Sequence, residues 1–249
     1  MILPGVILPR VIGHRGAAEN APENTLESFR AAAAEGAGWV EFDAKLTADN
    51  AIIILHDDDL DRTTNGKGPA KLKTLAELQS LDAGAWFKPG FAGARIPTLA
   101  ETVALLNELD LSANVELKPC PGRERETASL IMAALRRLWP ASKPLPLVSS
   151  FVPECLRVAQ AEAPEFPRGL LLEEHPLDWL ARARGVGAVS VNIWERDATP
   201  DWCREIKSAG YGLLAYTVNS VERAAELFAW GVDGVFTDAP GRLLAKLGN

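Results

Sequence analysis

Apolar strand-like runs alternate with helical segments along most of the chain, and the alternation is strict from position 97 onward. Runs of this length and spacing, separated by turn residues, are typical of strands and helices that follow one another. The predicted strands are 11–16, 39–44, 112–118, 145–151, 168–173, 188–193, 212–218 and 234–237. The predicted helices are 24–36, 99–109, 123–138, 153–163, 177–183, 200–209, 221–230 and 241–247.

Strands that alternate with helices form βα units around a parallel sheet. If the apolar run 51–56 is counted as an extension of the second strand, the units number eight, which predicts a closed (β/α)8 TIM barrel. Residues 57–96 interrupt this pattern with loop-type residues and one short helix predicted at 74–81. We therefore expect one domain over residues 1–249, with an insertion subdomain at about 57–96 after the second strand.

Two local predictions concern the first βα unit and the hairpin that follows it. Asn24, with Glu27 three residues later, is predicted to cap the first helix, which Gly36 ends. Residues 47–51 have the composition of a tight turn. If residues 49 and 50 form a two-residue loop, the register places His56 directly opposite Asp43.

Composition narrows the classes of function. The 249 residues are 47% hydrophobic and carry a net charge of −7, so no basic field attracts nucleic acid or an anionic membrane. No run reaches the ~20 apolar residues of a membrane span. The first ten residues lack a basic start and contain two prolines, which is unlike a signal peptide. The three cysteines are widely separated and form neither a disulfide framework nor a zinc motif, so a reducing cytoplasm is expected.

The predicted strands begin with apolar residues and end with polar or ionisable ones. In a TIM barrel the active site lies at the C-terminal ends of the strands. The side chains at or just after these ends are His14, Arg15, Glu41, Asp43, Glu116, Lys118, Ser150, Phe151, Glu173, Asn192, Tyr216, Asn219 and Asp238. They are predicted to converge on one mouth.

Three of these side chains form a candidate metal site. Glu41 and Asp43 are two residues apart in a strand and share a face, and Glu116 ends a neighbouring strand. Three carboxylates in one pocket repel unless they are protonated, paired or bound to a cation. Oxygen ligands favour Mg²⁺ or Ca²⁺ over zinc. The alternative is that each acid forms a salt bridge, with Arg15 and Lys118 as partners.

His14 and His56 are two of only three histidines in the chain. Either can be a structural histidine, but two that face one carboxylate cluster are better explained as a general acid and a general base. His175 is not predicted to face this carboxylate cluster and is interpreted as part of a loop or of the entry to a helix. Arg15 and Lys118 supply fixed positive charge for a phosphate-like anion.

Aromatic residues are weaker candidates for the pocket lining, because each of them can equally belong to the core. The candidates are Trp86, Phe87, Phe151, Trp194 and Tyr216.

Several motifs resemble those of the glycerophosphodiester phosphodiesterases, and the resemblance covers the whole chain in order. They are His14-Arg15-Gly16, Pro22-Glu23-Asn24-Thr25, Glu41-Phe42-Asp43, Leu55-His56-Asp57, Asp61-Arg62-Thr63-Thr64-Asn65-Gly66, Ile96-Pro97-Thr98-Leu99-Ala100-Glu101, Glu116-Leu117-Lys118, Thr217-Val218-Asn219 and Phe236-Thr237-Asp238-Ala239-Pro240. Tyr216 stands where many relatives have tryptophan.

The resemblance implies a barrel with an insertion after the second strand. It also implies hydrolysis of a glycerophosphodiester to glycerol 3-phosphate and an alcohol with one divalent cation, Mg²⁺ or Ca²⁺. By the same resemblance His14 and His56 are the acid–base pair, Arg15 and Lys118 contact the phosphate, and the metal ligands are Glu41, Asp43 and Glu116. The expected partner is thus a small molecule.

Two rival functions stay open at this point. One is a phosphodiesterase that acts on lysophospholipids or a sphingolipid, which requires apolar access for an acyl chain. The other is a barrel that only binds a phosphorylated polyol, for which loss of a histidine or an acid is expected; none is missing.

Overall fold

A computed structural model describes residues 8–248 of the chain. The strands are β1 Val11–Gly13, β2 Trp39–Leu46, β3 Ile52–Ile54, β4 Ser112–Leu117, β5 Leu147–Ser150, β6 Arg168–Leu172, β7 Ser190–Trp194, β8 Gly212–Tyr216 and β9 Gly234–Thr237. The α-helices are α1 Leu26–Ala34, α2 Leu75–Gln79, α3 Leu99–Glu108, α4 Glu124–Leu138, α5 Pro153–Glu162, α6 Trp179–Gly185, α7 Pro200–Ser208, α8 Val221–Ala229 and α9 Pro240–Leu247. Short 3₁₀ turns lie at Ala70–Leu72 and Pro89–Phe91.

Eight of the strands are parallel and close into a barrel. The sheet order is β1-β9-β8-β7-β6-β5-β4-β2, and β1 also pairs with β2, where Gly13 lies opposite Val40. On its other side β1 pairs with β9, with Val11 opposite Val235. β3 pairs antiparallel with β2 outside this ring. The predicted TIM barrel, with 51–56 as an extension of the second strand, is confirmed.

Apolar side chains fill the space between strands and helices, while the inside of the barrel becomes polar toward the mouth. The lower interior contains a cluster that includes Ile12, Leu147 and Leu214. Above it are buried polar side chains: Asn114 Nδ2 donates to Ser149 Oγ at 2.9 Å. Buried polar groups need such partners. The barrel therefore has a packed floor beneath a polar mouth.

Residues between β3 and α3 form the predicted insertion, in which α2 corresponds to the helix expected at 74–81. Leu60 and Leu78 are buried there in a small cluster that also contains Ile53 and Leu55 of the hairpin region. The apolar faces of the insertion are thus covered locally. The description of the chain as one domain with a separate insertion subdomain stays a prediction.

The predicted hairpin register is wrong by one residue. Ala44 lies opposite Ile54 and Leu46 opposite Ile52, so Asp43 lies opposite Leu55, whose amide donates to the Asp43 carbonyl at 2.9 Å, and not opposite His56. The loop spans three residues, 48–50, because Asn50 adopts φ +62° and adds one residue to the turn. β3 ends at Ile54, and His56 reaches the mouth from the irregular chain that follows.

The predicted helix cap is also wrong. Thr25, not Asn24, caps α1, and its hydroxyl accepts from the Ser28 amide. Asn24 adopts φ +57°, and its side chain instead bonds to Asp43. Both residue types cap helices well, so local preference could not choose between neighbours. The predicted helix end is confirmed: Gly36 follows the last turn with φ +87°.

Within residues 8–248, none of the helices combines the length and the apolar character that crossing a bilayer requires.

Candidate active site

The C-terminal ends of the barrel strands surround a cavity of about 510 Å³. The lining includes both predicted catalytic histidines, both predicted phosphate contacts and the aromatic candidates Phe151, Trp194 and Tyr216. It also includes two of the three predicted metal ligands, Glu41 and Glu116. The third, Asp43, is buried beside them and is not part of the lining. The lining residues are His14, Arg15, Glu41, His56, Asn114, Glu116, Leu117, Lys118, Pro119, Ser149, Ser150, Phe151, Val152, Leu171, Glu173, Trp194, Tyr216, Thr217 and Phe236.

Strand register brings the three predicted metal ligands together. Asp43 lies opposite Glu116 across β2 and β4, and Glu41 is on the same face of β2 two residues earlier. One carboxylate oxygen from each of the three lies within 4.8 Å of the others. All three residues are buried. Such a cluster of buried acids requires compensating charge.

Burial and mutual repulsion perturb the ionisation of these acids. Burial and the neighbouring carboxylates of Asp43 and Glu116 hold the pKa of Glu41 well above its usual range. Burial, together with Asp43, raises the pKa of Glu116 to about 7. Burial also opposes ionisation of Asp43, but the charges of Arg15 and Lys118 outweigh it and keep the pKa of Asp43 well below its usual range.

The salt bridges considered as the alternative to a metal site do form, but they leave charge uncompensated. Lys118 Nζ lies 2.8 Å from Glu116 and 3.6 Å from Asp43, and Arg15 Nε lies 3.4 Å from Asp43. Two cations facing three ionised carboxylates would leave one negative charge, and the raised pKa values of Glu41 and Glu116 reflect this excess. Within residues 8–248 the buried Oδ1 of Asp43 accepts no hydrogen bond, and Lys118 Nζ, 3.6 Å away, is its ion-pair partner. An oxygen without a hydrogen-bond donor in a group of oxygen-only ligands fits a hard divalent cation.

A tight turn after β1 presents His14 and Arg15 to the mouth. Arg15 has φ +51° and Gly16 φ +93°. A side chain at position 16 would also collide with Ser28, whose Oγ lies 2.3 Å from where a Cβ would be. Glycine is therefore required at this turn. The turn aims the Arg15 amide at Glu41 Oε2, 3.0 Å away.

Each histidine is held by a carboxylate that accepts from its Nδ1. His14 Nδ1 lies 2.7 Å from Asp238 Oδ1, and Asn219 Nδ2 donates to the other oxygen of Asp238 at 2.7 Å. His56 Nδ1 lies 2.6 Å from Asp57 Oδ1. Because an ionised carboxylate only accepts, the proton on each ring lies on Nδ1, and Nε2 is left for chemistry.

His56 also faces a cation. Lys118 Nζ lies 3.0 Å from His56 Nε2, and an ammonium only donates, so Nε2 is an acceptor and the ring is neutral. Burial lowers the pKa of His56, with Arg15 and Lys118 adding to the effect against the opposing charge of Asp43. The imidazole is thus poised to take up a proton.

Arg62 of the insertion ties the His56 side of the mouth to the Arg15 side. It donates to both oxygens of Asp57, at 2.7 and 2.9 Å, and to both oxygens of Glu23, at 2.6 and 2.8 Å. Glu23 in turn accepts from Arg15 Nη1 at 2.6 Å. This chain of charge-assisted bonds fixes the histidine and the arginine relative to each other.

The aromatic candidates divide into two groups. Phe151, Trp194 and Tyr216 line the cavity, whereas Trp86 and Phe87 pack edge to face within the insertion and do not. His175 lies outside the cavity lining and stacks on Trp202.

Sequence reasoning missed the side chains that hold the predicted ones. Asn24 Nδ2 donates to Asp43 Oδ2 at 2.8 Å, and the fully buried Lys45 donates to Asp58 Oδ1 at 3.0 Å and to the Asp57 carbonyl. The acid directly after His56 was a usable signal, since histidines at such sites need an orienting carboxylate. Nothing in the sequence pointed to Lys45, because its partners depend on how the chain turns after β3.

A closed parallel barrel with ionisable side chains at the C-terminal mouth defines the class of (β/α)8-barrel enzymes. The family model "Glycerophosphoryl diester phosphodiesterase family" matches residues 14–242. The chain belongs to this family, which confirms the predicted family and the predicted enzyme class, a phosphoric diester hydrolase.

Individual relatives agree. A glycerophosphodiester phosphodiesterase of Caldanaerobacter subterraneus subsp. tengcongensis is 35% identical over 94% of this chain and 96% of its own length. One from Bacillus subtilis is 34% identical over 92% of this chain and 83% of its own. An Oleispira antarctica phosphodiesterase has been solved in complex with the product sn-glycerol-3-phosphate, and its sequence is 38% identical to this one. The two structures superpose with a TM-score of 0.94 over 97% of this chain and 98% of that chain.

Proposed function

We propose that this chain hydrolyses glycerophosphodiesters, such as glycerophosphocholine or glycerophosphoethanolamine, to sn-glycerol 3-phosphate and an alcohol. The observation that carries the proposal is one cavity lined by two oriented histidines and by carboxylates of a buried cluster, in which one oxygen accepts no hydrogen bond from the described residues. A similar protein from Oleispira antarctica was solved with sn-glycerol-3-phosphate as its product, which supports the same product here.

In this proposal Glu41, Asp43 and Glu116 hold one divalent cation, Mg²⁺ or Ca²⁺. Asn24 keeps Asp43 aimed at the site through its 2.8 Å bond, and the Arg15 amide does the same for Glu41 at 3.0 Å. When bound, the cation would supply charge that offsets the negative charge developing on the phosphate oxygens.

The remaining polar side chains bind the phosphate and move protons. Arg15 and Lys118 hold the phosphate by charge-assisted hydrogen bonds. The neutral His56, with its accepting Nε2, removes the proton from the nucleophile, which is water or the neighbouring hydroxyl of the substrate. If the hydroxyl attacks, the cyclic phosphodiester that forms is opened by water in a second step to give glycerol 3-phosphate. His14, oriented by Asp238, protonates the leaving alkoxide. Phe151, Trp194 and Tyr216 form the apolar wall opposite the phosphate. A cytoplasmic location stays a prediction.

The decisive experiment measures release of sn-glycerol 3-phosphate from glycerophosphocholine. Chelation with EDTA should abolish turnover, and either Mg²⁺ or Ca²⁺ should restore it. Lysophosphatidylcholine serves as the comparison substrate, because faster turnover of it would favour the lipid-directed alternative. Full activity in excess EDTA, with no metal found by elemental analysis, contradicts the metal site.

The histidine roles are tested separately. His14→Ala and His56→Ala should each lower kcat by roughly 10²–10⁴-fold, while His175→Ala, outside the cavity, serves as the control. The pH profiles, measured at saturating metal, should also differ: His56→Ala should lose the rise of activity on the acidic side, and His14→Ala should keep it. Loss of this rise in His14→Ala but not in His56→Ala would reverse the assignment of acid and base.

A further inference from the structure

The wall of the cavity opposite the carboxylate cluster has its own chemistry. Leu172 lies opposite Ile193, and Trp194 lies opposite Tyr216. Continuation of this register by one residue beyond β6 places Glu173 beside Trp194. Glu173, Trp194 and Tyr216 therefore form one layer across β6, β7 and β8, and all three line the cavity.

Glu173 is a single charge in an otherwise uncharged wall. The other ionisable lining residues sit at the ends of β1, β2 and β4 and just after β3. Glu173 is exposed, and within residues 8–248 it makes neither an ion pair nor a side-chain hydrogen bond. A carboxylate that no group of the described chain neutralises is available to a cation from solution.

Two aromatic residues follow this carboxylate in the layer, Trp194 on the neighbouring strand β7 and Tyr216 on β8. Tyr216 is fixed, because its hydroxyl donates to the Leu172 carbonyl at 2.8 Å and its ring packs perpendicular to Phe151 at 5.6 Å. Trp194 is 38% exposed, and the Arg196 guanidinium lies 5.3 Å from the centre of its ring. Burial raises the pKa of Tyr216, and the charges of Glu173 and then Glu116 raise it further.

A carboxylate beside aromatic rings is suited to an organic ammonium group. The rings attract a cation through their faces, and the carboxylate adds a full opposite charge. A neutral alcohol could donate hydrogen bonds to Glu173 but would lack the attraction between opposite charges. A phosphate held by Arg15 and Lys118 on one wall directs the alcohol of the diester across the cavity toward this layer.

We propose that Glu173, with Trp194 and Tyr216, forms a subsite for a cationic alcohol head group of the choline or ethanolamine type. This rests on the proposed function in that the head group belongs to the diester being cleaved. A second groove, whose lining includes Phe151, Glu173, Glu174 and Arg182, continues outward from the same point. The charge of Arg182 is paired there with Asp178 at 2.9 Å.

The test compares glycerophosphocholine with its uncharged isostere, the glycerophosphodiester of 3,3-dimethylbutanol. The ratio of their kcat/KM values should favour choline, and Glu173→Gln should lower that ratio by about fivefold to tenfold, the weight of a partly solvated ammonium contact. Glu174→Gln is the control, because Glu174 is exposed and unpaired within the described residues but lines only the outer groove. An unchanged ratio in Glu173→Gln, or an equal fall in both variants, overturns the proposal.

A binding measurement separates this proposal from the reaction itself. Choline and 3,3-dimethylbutanol are each mixed with the protein, and the broadening of their methyl proton resonances is compared. The native chain should broaden choline selectively, and Glu173→Gln but not Glu174→Gln should remove the selectivity. If the native chain cleaves neither diester, the proposed function fails, and the choline resonance alone then decides the subsite. Equal broadening of both probes by the native chain overturns it.

Discussion

Metal binding to the carboxylate cluster should be linked to pH, because the pKa values of two of the proposed ligands are raised in the metal-free protein. The pKa of Glu116 is raised to about 7, and the pKa of Glu41 is raised well above its usual range. A cation can bind these carboxylates only after it displaces their protons. Affinity should therefore increase as the pH rises.

The magnitude follows from the Glu116 value. A group with a pKa of about 7 is roughly one-tenth ionised at pH 6 and nine-tenths ionised at pH 8, so the affinity for Mg²⁺ should rise about tenfold over this interval. Glu41, whose pKa is raised in the same direction, adds to the slope. Glu116 by itself should release close to one proton, about 0.8, for each cation bound at pH 6.5. Asp43 contributes nothing, because its pKa is depressed and it is already ionised.

Isothermal titration calorimetry in two buffers of different ionisation enthalpy counts the released protons directly. Glu116→Gln should bind Mg²⁺ more weakly but release about one proton fewer. Glu126→Gln, at an exposed acid on α4, controls for general charge effects. An affinity that does not change between pH 6 and pH 8, with no proton released, would refute the account of the cluster as a set of buried, mutually repelling ligands.

Two further predictions concern residues that act through others. Arg62→Lys cannot keep both bidentate contacts, so kcat should fall about tenfold through loss of histidine orientation, while Tm falls by only about 2–4 °C. Arg125→Lys, on an exposed helix face, is the matched control; an equal loss of activity there would argue against a positioning role. Asn50→Ala should unfold about 1 kcal/mol more easily than Asn50→Gly in urea, because only the backbone of glycine tolerates φ +62° without cost. Equal stabilities would contradict the three-residue loop.

The barrel could be predicted from the sequence because the same pattern of residues recurs in each βα unit. Each βα unit carries its own apolar strand, turn and helix, and closure of eight such units leaves one face, at the C-terminal ends, for ionisable side chains. Spacing within a strand sufficed to predict that Glu41 and Asp43 share a face, since the two-residue period of a strand is a property of the backbone.

The register of the hairpin and the hydrogen-bond partners of individual side chains could not be predicted in the same way. A change of one residue in the hairpin loop was decided by the left-handed conformation of Asn50, which several loop types allow, so the predicted pairing of Asp43 with His56 was wrong. Asn24 was assigned to the nearest helix because its contact with Asp43 joins residues 19 positions apart. Such contacts depend on where two separate elements meet.

Sequence by itself thus determined the alternation of elements, the barrel they build and the chemical character of the mouth, all of which follow from local periodicity. Only the tertiary structure decided which groups hold the histidines, how Arg62 of the insertion joins Glu23 to Asp57, and that Glu173, unpaired within residues 8–248, lies across the cavity from the carboxylate cluster. The physical reason is that charge–charge contacts act over a few ångströms in space and carry no period along the chain.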